Sequence, residues 1–95
     1  MPSAVYVTLA NDDSWHEAQD VASALRARGI ACEVASSAEK FGKQIKFADR
    51  RGIPFVWFTQ ADGSHEVKDI RSGEQVAADP ASWMPPAEDL YNAVK

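Results

Sequence analysis

Ninety-five residues, 45% of them hydrophobic and 25% charged, make one domain with a core of moderate size and leave no room for a second. The single cysteine, Cys32, excludes an internal disulfide and fits a reducing, cytoplasmic compartment; the absence of a leader-like start or of about 18 consecutive apolar residues argues against a signal peptide and a membrane span. The net charge of -4 speaks against general nucleic-acid binding, but it is unevenly distributed: residues 1–39 carry six acids and two bases, residues 40–71 seven bases and four acids, and residues 72–95 four acids and one base. A net of +3 in the middle of an acidic chain suits a short, specific anion contact, or simply a solvated face.

Residues 4–9, AVYVTL, are β-branched and aromatic and predict the first strand. Asn11-Asp12-Asp13 is turn chemistry, and Ser14 with Glu17 has capping-box spacing, predicting a helix to about Arg28 with Trp15, Ala18, Ala22 and Leu25 on its apolar face and Gly29 at its C-terminal stop. Residues 30–35 predict the second strand. Ser36 with Glu39 predicts another capping box and a helix to about Arg51, ended by Gly52. On that helix Phe41, Ile45 and Ala48 form an apolar stripe and Lys43, Lys46 and Arg50 a basic one. Residues 53–58 predict a buried third strand, with Phe47, Trp57 and Phe58 as core. Residues 66–70 and 75–78, joined by a Gly-containing turn, predict an antiparallel hairpin. Pro86 opens a last helix with Glu88 and Asp89 in its first turn and Leu90, Ala93 and Val94 docking it. The order is a βαβαβ-hairpin-α, three-layer α/β domain over residues 1–95, with a mixed, mainly parallel five-stranded sheet and helices on both faces.

The chain has no Gly-rich phosphate loop, no CxxC, no HExxH and no zinc-ligand spacing. Cys32, mid-strand, reads as a small buried hydrophobe; His16 reads as solvated and His65 as structural before ligand-contacting. Paired carboxylates fall at helix starts, where the dipole explains them. These readings imply no catalytic residue, metal or cofactor of the domain's own.

Two runs resemble a known family. KFGKQIKFADRRGIPFVWF (residues 40–58) carries a lysine-rich helix pattern through Lys43, Gln44, Lys46 and Ala48, then Gly52, Ile53 and a hydrophobic strand. EVKDIRSGEQV (residues 66–76) carries a Val67-Lys68, Ile70, Ser72-Gly73 and Gln75 hairpin pattern. Together with LRARGIACEV (residues 25–34), they are similar to the C-terminal anticodon-binding domain of histidyl-tRNA synthetase, a class II aminoacyl-tRNA synthetase, over residues 4–78. Glycine, threonine and proline enzymes share that fold. The chain departs from the family at Thr59-Gln60, where a Gly-Glu pair is usual, and in residues 79–95.

The resemblance implies an RNA-reading module. Unstacked anticodon bases are read by stacking and edge hydrogen bonds, with cations on the phosphates. Carried over, Lys43, Lys46, Lys68 and Arg71 become candidates for phosphate or base contact, and Gln44, Asp69, Glu74 and Gln75 for base-edge contact. Lys68 and Asp69, adjacent on a strand, must point to opposite faces. The implied partners are the histidine tRNA anticodon loop and the protein's own catalytic domain, which would use ATP and Mg²⁺; the full-length enzyme is expected to be a homodimer, without membrane association. A free-standing regulatory or interaction domain that no longer reads tRNA is the alternative, and a flavodoxin- or receiver-like domain a weaker one.

Overall fold

The computed structural model describes residues 3–90. Strand β1 (Val5–Val7) leads through a 3-10 turn (Asp12–Ser14) into helix α1 (Trp15–Ala27). Strand β2 (Cys32–Val34), helix α2 (Phe41–Arg50) and strand β3 (Phe55–Thr59) follow, then the hairpin β4 (His65–Asp69) and β5 (Glu74–Ala77), and a short helix α3 (Ala87–Leu90). The five strands form one sheet in the order β2-β1-β3-β4-β5. The first three are parallel and the last two antiparallel. This is the mixed sheet expected from the sequence.

Register partners share a face of the sheet. Val5, Val7, Cys32, Phe55, Trp57, Val67 and Asp69 therefore lie on one face, and Tyr6, Glu33, Val56, Phe58, Glu66, Lys68 and Gln75 on the other. Helix α1 covers the first face, where the Cys32 thiol approaches the Ala22 carbonyl at 3.5 Å. Helix α2 covers the second, with Phe47 against Tyr6 and Phe41 against Phe58. The core lies between these layers. Trp57, Leu25, Ile30, Ile53, Val5, Val7 and Val56 are its largest fully buried side chains, each worth about 1.5–3 kcal/mol of apolar burial.

Three local expectations are corrected. The Ser14 hydroxyl does not cap α1 by the expected box; it donates to the Asn11 carbonyl at 2.6 Å and accepts the Asn11 N–H at 3.2 Å, tightening the turn before the helix. Helix α2 starts at Phe41 behind Lys40, so Ser36 and Glu39 lie in the loop ahead of it. Trp15 and Phe47, expected in the core, are 48% and 43% exposed. Trp15 packs against His16, and Phe47 against Tyr6 with Arg51 over its ring, so both sit at the rim of the core.

Residues 79–90 wrap the first face. Trp83 packs edge-on against Phe55 and Trp57, at 5.2 and 5.7 Å between ring centres. Arg28, at the end of α1, donates to the carbonyls of Pro80 and Trp83. Asp89 is buried against Arg71 and so does more than favour a helix start. Ala93 and Val94, expected to dock the last helix, lie outside the described residues. Among those described, no helix is long and apolar enough to cross a membrane.

Candidate nucleic-acid interface

Helix α2 has four sides, and they separate the candidate residues. Its sheet-facing side holds Gln44 and Ala48, both buried. The Gln44 amide oxygen accepts the Leu9 N–H at 3.0 Å, and its nitrogen donates to the carbonyls of Leu9 at 2.9 Å and Glu39 at 2.6 Å. It thus pairs the peptide that leaves β1, just past the strand's end, where no ladder partner is available. Gln44 is 3% exposed, which corrects its assignment as a base reader. The sequence could not separate the two roles, because an amide suits both.

Lys43 lies on the side facing β1 and β2, above a hollow of about 200 Å³ lined by Tyr6, Ser36, Ser37 and Phe47. It makes an exposed ion pair with Glu39 at 3.7 Å, worth well under about 1 kcal/mol. Lys46 and Arg50 are exposed on the solvent side, with no ion pair to either among the described residues. Phe41 and Ile45 lie on the opposite side, toward β3 and β4: Phe41 contacts Phe58, and Asp49, one turn beyond Ile45, shares a hollow with Pro54 and Ile70.

Beyond β3, no helix among the described residues lies over the α2 face of the sheet. Glu66 and Lys68 of β4 and Gln75 and Ala77 of β5 form this floor, half-buried on β4 and exposed on β5. Lys68 stands opposite Gln75, and the Gln75 amide donates to the Glu66 carboxylate at 2.5 Å. Lys68 and Gln75 are thus brought together, whereas Asp69 and Glu74 face the other way, as strand alternation requires. Glu66 was missed from the sequence, although period-two spacing from Lys68 would have found it.

Arg71 is not a free cation. It holds Asp89 through two bonds of 2.7 and 2.8 Å and Asp69 through two of 3.0 Å, and its guanidinium lies 5.3 Å from the centre of the Phe55 ring. These hydrogen bonds raise its pKa further, and Arg71 in turn holds the Asp69 carboxyl below the usual range. Expected as an RNA contact, it clamps the hairpin turn to the tail. The sequence does not disclose this, because Asp89 lies 18 residues away.

The ends of β1 and β3, where the strand order reverses, frame a crevice of about 340 Å³ lined by Asn11, Asp13, Glu17, Thr59 and Gln60. Its carboxylates disfavour phosphate. His65 accepts the Trp57 indole N–H at 3.2 Å and lies 3.2 Å from the Thr59 hydroxyl, consistent with a structural role. Burial raises the pKa of the Cys32 thiol and lowers its reactivity.

A family model described as "Anticodon binding domain" matches residues 4–84. The chain belongs to the anticodon binding domain family. It is 70% identical to the histidine–tRNA ligase of Micrococcus luteus and 57% identical to that of Cutibacterium acnes, each over 99% of this chain. The chain spans about a fifth of those proteins, 21% and 22% respectively. Among solved structures, histidyl-tRNA synthetase from Nostoc sp. PCC 7120 superposes with a TM-score of 0.77 at 30% identity, over 82% of this chain and 19% of that one. The histidyl-tRNA synthetase of S. aureus, at 22% identity and a TM-score of 0.68, shares the fold. The resemblance read from the two sequence runs is borne out, as is the α/β architecture of an anticodon-binding domain.

Proposed function

We propose that this domain reads the anticodon loop of histidine tRNA within a histidyl-tRNA synthetase whose catalytic domain, using ATP and Mg²⁺, attaches histidine. The carrying observation is an uncovered sheet floor beside a basic helix in a domain of the anticodon binding family, 70% identical to part of a histidine–tRNA ligase. Lys68 and Gln75 lie on that floor, and Lys46 projects from the helix beside it. An RNA strand laid across the floor would meet Lys68 with a phosphate and Gln75 with a base edge. Lys43 serves a more distant phosphate, on the far side of α2. Asp69, Arg71 and Glu74 act from behind, by holding the hairpin. Dimerisation of the full-length enzyme and a cytoplasmic location belong to this same reading.

A titration of the domain with histidine tRNA and a non-cognate tRNA, repeated at several salt concentrations, tests it. Tighter cognate binding that weakens as salt rises is expected, and Lys68→Ala should lower the salt slope by about 0.7–1. Equal, salt-insensitive binding of both tRNAs would sink the reading. A coding frame without an upstream catalytic region would favour a free-standing domain.

A further inference from the structure

We propose that Phe41 is a stacking platform for one unpaired base, and that Glu66, oriented by Gln75, reads the edge of that base as guanine. The inference deepens the anticodon reading above and rests on it. Phe41, the first residue of α2, is 43% exposed and so presents an aromatic surface to solvent. Its ring is fixed by an edge-to-face contact with Phe58, at 5.2 Å and 80°. Phe58 is 7% exposed and stands in register with Glu66, so the platform borders the open floor.

The groups beside the ring define the base. Gln75 donates to one oxygen of the Glu66 carboxylate, Oε1, and thereby sets its orientation. The other oxygen has no hydrogen-bond partner among the described residues, and a carboxylate retains further lone pairs. Such a group needs two adjacent donors. Guanine alone offers them on its pairing edge, at N1–H and the N2 amine. Adenine and cytosine each place an acceptor beside their donor, and uracil places acceptors on both sides of its single N–H. Each would set a lone pair against the carboxylate, at the cost of an unpaired polar group. The aromatic ring supplies affinity for any base, and the carboxylate supplies the choice.

The test uses an anticodon stem-loop of histidine tRNA, together with versions in which each loop guanine is replaced in turn by inosine, which lacks the N2 amine. Phe41→Leu keeps the apolar contact with Phe58 and should preserve the fold. It is expected to weaken stem-loop binding about 5- to 150-fold, the range seen for loss of base–aromatic stacking, while Phe41→Trp restores it. Wild-type protein should lose affinity for inosine at one loop position, and Glu66→Gln should abolish that discrimination. Unchanged binding by Phe41→Leu, or discrimination that survives in Glu66→Gln, overturns the inference. If Lys68→Ala weakens binding in the same experiment, the anticodon reading stands without it. If the cognate stem-loop is not preferred by wild-type protein, both fall.

Discussion

Gln44 sits in the first turn of α2 with its amide engaged by the Leu9 peptide on both sides. Its removal leaves a buried N–H and a buried carbonyl unpaired, each costing about 1–3 kcal/mol. Gln44→Ala should therefore destabilise the domain by about 2–4 kcal/mol, read as a fall in the denaturant midpoint, with RNA binding intact below the transition. A pure stability loss of this kind separates it from Lys68→Ala, which should do the reverse. The Arg71 clamp carries a pH signature. Because Asp69 is held below its usual pKa, the folded state releases this proton more readily than the unfolded chain. Its stabilisation is complete above the unfolded value of about 4 and is lost as pH falls through the lower folded value. The difference in melting temperature between wild type and Asp69→Asn should be largest near neutral pH and should close as the pH falls through the lowered folded value. A gap that widened in acid would contradict the clamp. None of these roles was legible in the residue types. Glutamine, arginine and aspartate serve a core, a clamp or a base edge equally well, and burial and partner decide among them.

Secondary elements were more legible than residues. All five strands and the helices between them follow from periodicity and from Gly stops. Gly29, with φ of 83°, ends α1 as expected, and Gly29→Ala should cost about 1 kcal/mol because a Cβ is strained in that conformation. The capping boxes were misread for a shared reason, although α1 does begin at Trp15 behind Ser14. Ser-x-x-Glu is a common surface spacing, and the Gln44–Leu9 contact, 35 residues apart in sequence, fixes where α2 can begin. The hairpin differs from the central strands in exposure: every residue of β5 is exposed, whereas Phe55 to Phe58 of β3 are all buried. Amides of β5 should exchange with solvent well before those of β3, measurable by hydrogen exchange on the free domain. Cognate RNA should slow the exchange of β5 and β4 while leaving β1 unchanged.

At the scale of the whole molecule, the tail is part of the fold. Residues 79–95 departed from the family pattern in sequence, yet within them Trp83 fills the space beside Phe55 and Trp57 and Arg28 grips the carbonyls around it. Trp83→Ala should lower stability by about 2–4 kcal/mol, somewhat below a fully buried tryptophan because Trp83 is half-buried. Thermal unfolding would register it. Long-range packing of this sort has no local periodicity to betray it, whereas the sheet order follows from crossover rules applied to the strand list.

The two sides of the sheet are served unequally. Among the described residues, one receives α1, the tail and α3, and the other receives α2 alone. Five strands spaced about 4.8 Å apart span roughly 19 Å between the outermost backbones, while one packed helix occupies about 10 Å. A single helix therefore roofs about half of its side, and its linkage from β2 to β3 sets it above the parallel half. The hairpin's outward surface is left bare by arithmetic, before any side chain is chosen. Selection for recognition then had only to furnish a vacancy that the count of helices had already made.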